Sequence, residues 1–193
     1  MRTTGKTPLP DPATGFRPKD PTMPDPTPAK KKVYVETTVV SDVVAFPTND
    51  LTVAGRQAAT REWWKAAAER FDLFSSTVVS QEIRRGDPEA ARRRVELLAD
   101  VPELIADVRA VALATKLIDG KAVPKEFPDD ALHIATAALN AMDYLVSWNF
   151  RHITNAQTIP LVRRVCEANG YRCPEICTPQ MLQKEKDDDH AAR

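Results

Sequence analysis

The chain has 193 residues, 42% of them hydrophobic, with 27 Lys/Arg against 27 Asp/Glu. That length and apolar content suit one domain with a real core plus extensions. A net charge of zero leaves no global field that calls for nucleic acid or a membrane as partner.

Along the chain the charge is uneven. Residues 1–32 hold seven Lys/Arg against three Asp, and the first 28 residues carry half of the sixteen prolines. Such a segment cannot bury enough apolar surface to offset its chain entropy, so residues 1–31 are expected to be a disordered, Pro-rich basic arm. It has no apolar run of signal-peptide or membrane-helix length. The folded domain is expected over residues 32–180.

The domain opens on a short β-prone run, residues 33–35, ended by Glu36. Thr37-Thr38 offers a hydroxyl cap for a short helix over 39–45. A loop follows at 46–50, then a helical pattern over 51–71 containing Trp63-Trp64. One of these tryptophans is expected in the core and the other on a partner surface or against RNA bases. Residues 73–75 read as a second strand. Ser76 or Thr77 caps the next helix, which carries Val78, Val79, Glu82 and Ile83. Gly86-Asp87-Pro88 breaks it, and Pro88 suits the first turn of a helix reaching about residue 99.

A third strand is expected at Leu104-Ile105, and a helix over 108–118 stopped by Asp119-Gly120. Asp129 and Asp130 precede an apolar helix over 131–141, where Asp130 is expected to cap the helix and face inward. Residues 144–147 form a strand, 155–168 a helix ended by Gly170, and Ile176 lies in a last strand. Residues 181–193 are expected to be a charged, flexible tail. Cys166, Cys173 and Cys177 lack a Cys-x-x-Cys pair and a matching His pattern, which speaks against zinc. Reduced thiols in a cytoplasmic protein are the plain expectation.

Short apolar strands alternating with helices imply an α/β fold with a central parallel sheet covered on both faces. Ligands of such sheets bind beyond the carboxyl ends of the strands. Glu36 ends the first strand, and Ser147 and Asn149 end a later one. Glu82 and Asp130 are expected in the early turns of helices that follow. Three carboxylates at one edge repel one another unless a cation compensates. Mg²⁺ takes oxygen ligands, and a bound cation both activates water and braces a phosphoryl transition state. With six glycines and no P-loop or Gly-rich dinucleotide loop, nucleotide-cofactor readings are poorly supported.

Four stretches, taken in order, resemble the PIN-domain nucleases: "VYVETT", "STVVSQEI", "DALHIATA" and "YLVSWNFRHI". The likeness spans roughly residues 32–179. It implies a three-layer α/β/α sandwich in which Glu36, Glu82 and Asp130 hold Mg²⁺ or Mn²⁺. Asn149 stands where many members have a fourth acid. Thr37 and Ser147 would hydrogen-bond the acids or a metal-bound water. The implied reaction is in-line hydrolysis of an RNA phosphodiester. The "WN" and following "H" are most similar to VapC-like toxins of type II toxin–antitoxin systems, which implies an antitoxin partner and a homodimer. Two departures stand out: Glu36 where Asp is common, and the neutral Asn149. They keep a second reading open, a catalytically weak or inactive PIN-like module that binds RNA or protein. A third, an α/β phosphatase with an aspartyl nucleophile, would need Asp where Glu36 stands.

Other residues carry two readings each. His133, three residues after Asp130, either orients an acid or substrate or is a structural histidine. His152 packs against or caps the next segment. Arg84 and Arg85, with Arg92, Arg93 and Arg94, either position a phosphate backbone or form a solvated helical face, the latter supported by Glu89 and Glu96.

Overall fold

The computed structural model describes residues 29–183; all but the last residues of the expected arm, and the tail from residue 184, lie outside them. The elements in order are β1 (Lys31–Val35), α1 (Thr37–Val44), α2 (Leu51–Arg70), β2 (Phe71–Ser76), α3 (Thr77–Glu82) and α4 (Pro88–Leu97). They continue with β3 (Glu103–Leu104), α5 (Val108–Asp119), α6 (Pro128–Leu139), β4 (Tyr144–Val146), α7 (Ile159–Ala168) and β5 (Glu175–Cys177), and a 3₁₀ turn, Pro179–Leu182, closes the series.

All five strands are parallel, in the order β3-β2-β1-β4-β5. The expected α/β architecture is therefore what the chain adopts. Central β1 explains its own sequence: Val33, Tyr34 and Val35 are all 0% exposed, as a strand covered on both faces requires. The helices pack in two groups, α1 with α2 and α4, and α6 with α3 and α5, which carries α7. Helix α5 buries Ala110, Leu113, Ala114 and Leu117, one stripe at helical spacing. Helix α6 buries seven residues, Ala131 and His133 through Ala138, and its small side chains let it lie deep in the molecule. Each large aliphatic in this core adds about 1.5–3 kcal/mol by leaving water.

The helix ends depart from expectation at several points. Gly120 does not supply the left-handed residue that stops α5; Lys121 does, at φ 57°. Gly120 is there for space, because a Cβ on it would meet Val165 Cγ2 at 2.8 Å. Helix α7 starts at Ile159 rather than residue 155, because the Asn155 side chain accepts from Gln157 N at 2.9 Å and holds a turn there. Its end is as expected: Gly170, at φ 81°, donates to Glu167 O while Tyr171 N reaches Cys166 O, a Schellman closure. Trp63 is core at 1% exposure; Trp64 is half-buried against that core and lines a pocket beside β2.

The strand order reverses between β1 and β4, so the crevice between their carboxyl ends is the topological switch point. Glu36 follows the last residue of β1, and Ser147 the last residue of β4.

Candidate metal centre

Glu36 terminates β1 and is also the N-cap of α1, a role the sequence had suggested for Thr37 or Thr38. Its Oε2 accepts from Thr38 N at 3.1 Å, from the Thr38 hydroxyl, and from Ser147 Oγ at 2.8 Å. Oε1 takes no hydrogen bond among the described residues. The carboxyl is 3% exposed. Burial pushes it up from the ordinary carboxylate range, and the His133 charge with the Thr38 and Ser147 donors only partly offsets this.

Glu82 is the last residue of α3, not an early-turn residue, because α3 is a six-residue helix that ends where the site begins. Its Oε2 accepts from the Thr37 hydroxyl and from His133 Nε2, the latter at 3.0 Å. Its Oε1, like that of Glu36, takes none among the described residues. Burial alone would push Glu82 up; the hydrogen bond and charge of His133, with the Thr37 bond, outweigh it and hold the group down.

Asp130 lies in the first turn of α6 but does not cap it; the N-cap position is Phe127, which makes no side-chain cap. Pro128 at the helix start removes one donor that would otherwise need a cap. Asp130 instead turns to the loop after β4. Its Oδ1 accepts from Asn149 Nδ2 at 3.1 Å, and its Oδ2 meets His152 Nδ1 at 2.8 Å. Asn149 Oδ1 in turn accepts from His152 N at 3.0 Å. Asn149 thus works as a donor toward the acid, with its carbonyl oxygen already engaged.

Glu36, Glu82, Asp130 and Asn149 line one cleft of about 400 Å³ together with Thr37, Thr38, Ser41, Asp42, Arg56 and Arg85. Ligand atoms of Glu36, Glu82 and His133 lie within 4.8 Å of one another. His133 shares that radius, yet its two ring nitrogens are taken by Glu82 and, at 2.8 Å, by Tyr34 Oη. With both nitrogens engaged, it is placed to hold Glu82. The donor set suits a hard cation: Glu36 and Glu82 are each clamped through one oxygen, the other stays open, and each Asp130 oxygen keeps a lone pair beyond its single partner.

Of the residues expected to bind substrate, Arg85 lines the cleft and sits 3.7 Å from Asp129. Arg84 is exposed and does not line the cleft. In the wider cluster, Arg92 is held by Glu89 and Glu96, and Arg93 stacks on Phe46, which is the solvated-face arrangement. Sequence reading missed Thr38, Asp42 and Arg56, and placed His152 outside the site. His152 is 7% exposed, holds Asp130 and stacks on Phe127 with centroids 3.9 Å apart. The short "WNFRH" loop keeps His152 near the strand end, but its spacing does not by itself say that the ring folds back on Asp130.

No protein-family model matches the chain, and no curated protein matches it. Among solved structures, VapBC2 from Rickettsia felis bound to a DNA fragment from their promoter aligns with a TM-score of 0.47 and 10% identity, covering 66% of this chain and 94% of that one. Among the described residues, no helix is long and apolar enough to cross a membrane.

Proposed function

We propose that the chain is a Mg²⁺- or Mn²⁺-dependent nuclease that hydrolyses RNA phosphodiester bonds. The observation that carries this reading is the pair of half-clamped carboxylates, Glu36 and Glu82, facing one cleft with Asp130 at the switch point of a parallel sheet. The four motifs that resemble PIN-domain nucleases fall on these same residues. Glu36, Glu82 and Asp130 would hold the ion, which when bound supplies a water of lowered pKa and charge for a phosphoryl transition state. The chain's part is orientation. Thr38 and Ser147 hold Glu36, Thr37 and His133 hold Glu82, and Asn149 and His152 hold Asp130.

By the same resemblance, the chain is the toxin of a toxin–antitoxin pair and forms a homodimer. Ile105, Val108 and Val111, exposed at 72%, 82% and 51%, offer apolar surface for a partner protein. One observation favours the alternative, a PIN-like binding module of weak catalysis: burial holds Glu36 toward its neutral form, and Asn149 adds no charge.

The test is RNA cleavage with and without Mn²⁺ by wild type, Glu82→Gln and Asp130→Asn, beside calorimetric Mn²⁺ titration. Metal-dependent cleavage that both variants lose supports the nuclease. Metal-free RNA binding without cleavage supports the module. Variants that cleave as fast as wild type rule out these acids as the site.

A further inference from the structure

Asp42 and Arg56 also line the acidic cleft, and the metal chemistry leaves them unused. Asp42 is on α1 and is 5% exposed. Arg56 is on α2, with its side chain 35% exposed. A buried carboxylate is costly unless paired, and this pair has a specific geometry. Arg56 meets Asp42 side-on, Nε to Oδ2 at 2.6 Å and Nη2 to Oδ1 at 3.1 Å. A guanidinium carries five N–H donors in one plane. The side-on fork uses two, which leaves both donors of Nη1 and one of Nη2 at the edge turned away from Asp42.

One further contact bears on the guanidinium, and others hold the Arg56 backbone. The guanidinium carbon is 6.0 Å from the Trp148 ring centroid. Thr60 Oγ1 donates to Arg56 O at 2.7 Å and accepts from Trp148 Nε1 at 2.8 Å. Trp148 N donates at 2.9 Å to Thr38 Oγ1, the hydroxyl that also holds Glu36. The Arg56 backbone and Glu36 are therefore linked through Thr60, Trp148 and Thr38. The side chain of Arg85, the other arginine on the cleft, is 66% exposed, and its one ion pair among the described residues is the 3.7 Å contact to Asp129. It would lose more freedom on binding.

We propose that Arg56 is the phosphate-binding residue of this cleft and that Asp42 is its positioning residue, with the open guanidinium edge taking the non-bridging oxygens of the phosphodiester. This rests on the nuclease reading above. An anionic phosphodiester must approach three carboxylates, and a fixed cation lining the same cleft offsets their repulsion. A planar fork matches two phosphate oxygens as an ammonium cannot.

The experiment compares wild type with Arg56→Gln, Arg56→Lys and Asp42→Asn. It reads kcat and KM for Mn²⁺-dependent cleavage of a short fluorescein-labelled RNA of unpaired sequence. It also reads the Kd for that RNA by anisotropy at several salt concentrations, Mn²⁺ binding by calorimetry, and Tm. Arg56→Gln is expected to lower kcat/KM about a hundredfold and to reduce the salt slope of RNA binding by about one. Its Mn²⁺ affinity holds or tightens, because a positive charge has left the cleft. Arg56→Lys recovers only a small part of the loss. Asp42→Asn raises KM and lowers kcat, with Mn²⁺ binding retained.

A folded Arg56→Gln with wild-type kcat/KM and RNA affinity overturns the proposal. Full activity in Arg56→Lys overturns the fork. Joint loss of Mn²⁺ binding and Tm in Arg56→Gln makes the pair structural and overturns it too. Where wild type binds RNA without cleaving it, the Kd series decides. Wild type that neither binds nor cleaves RNA brings down the nuclease reading itself, whereas an active wild type matched by Arg56→Gln brings down only this inference.

Discussion

The imidazole of His133, with no solvent exposure, meets the Glu82 carboxylate at 3.0 Å. Its other nitrogen lies 2.8 Å from Tyr34 Oη, which is itself 2.6 Å from Ser76 Oγ. Only Nε2–H can face an ionised carboxylate, so the Glu82 contact fixes that proton. The network runs from the N-cap of α3 to its last residue, so it sets the position of that whole short helix.

His133→Phe fills the space but removes both bonds. It should cost about 1–3 kcal/mol in urea denaturation and weaken Mn²⁺ binding at least about tenfold by calorimetry. The deficit has a pH signature. Burial would lower the His133 pKa, but the Glu82 bond and the charges of Glu36, Glu82 and Asp130 raise it above 6.5. Its contribution is full below 6.5 and is lost as pH rises through the folded value. The lowered Glu82 contributes above 4.5 and is lost as pH falls through its folded value. The variant should therefore fall furthest behind wild type between those two pH values; a deficit that does not vary with pH would mean the pair carries no charge.

Asn149→Asp tests the donor role of Asn149. The substitution replaces the Nδ2 donor to Asp130 with a second carboxylate. Without metal the two acids repel, so Tm should fall by a few degrees. Added Mn²⁺ should restore it and bind more tightly than to wild type. Thermal scans with and without Mn²⁺ check this, and an unchanged metal-free Tm would show that the donor is dispensable.

At the opposite, amino edge of the sheet, Asp143 accepts from Lys32 N at 2.9 Å and pairs with Arg172 at 3.1 Å and Lys31 at 3.4 Å. Burial would raise its pKa; the Lys32 bond, Arg172 and Lys31 outweigh it and hold the group below 3.8. Its stabilisation is present above 3.8 and lost as pH falls through the folded value. Asp143→Asn should cost about 1 kcal/mol near neutrality, with the gap to wild type closing in strong acid. Urea midpoints across an acid pH series measure it.

How much of this was legible follows from which interactions are local. The run 33–35 is continuously apolar because β1 is buried on both faces, so the residue pattern alone places Glu36 at its end. The same holds for Ser147 at the end of β4. That Glu82 and Asp130 reach the same cleft as Glu36 was also legible, but their helical settings were not. A six-residue helix such as α3 has too few turns to show a period, and an acid near a helix start reads as a cap. Asp42 and Arg56 left no signal at all. Each sits in an ordinary helical pattern, and they meet only because α1 packs on α2. His152 returns to Asp130 through a loop whose path depends on Asn149 Oδ1 accepting from His152 N, and residue spacing alone does not encode that.

At Glu36, stability and the proposed metal binding pull in opposite directions. Three donors converge on Oε2, and a glutamine carbonyl can accept all of them. Glu36→Gln therefore keeps the α1 cap and the link to β4 while removing a buried charge. Burial raises the wild-type carboxyl above 4.5, and the His133 charge and the Thr38 and Ser147 bonds do not cancel the rise. The folded state then holds its proton more tightly than the unfolded chain. Wild-type stability from this group falls as pH climbs from 4.5 through the folded value and stays low beyond it. Glu36→Gln lacks that fall, so without metal it should melt higher than wild type near neutrality and converge with it in acid. The gain should be on the order of 1 kcal/mol. Mn²⁺ binding and RNA cleavage should be lost together, because the open oxygen facing the cleft has become an amide. Thermal melts over a pH series, paired with calorimetric Mn²⁺ titration, read both sides. A variant that melts lower than wild type at neutral pH would mean the ionised carboxylate stabilises the fold, and Glu36 would then be a structural cap rather than an acid held ready for a cation.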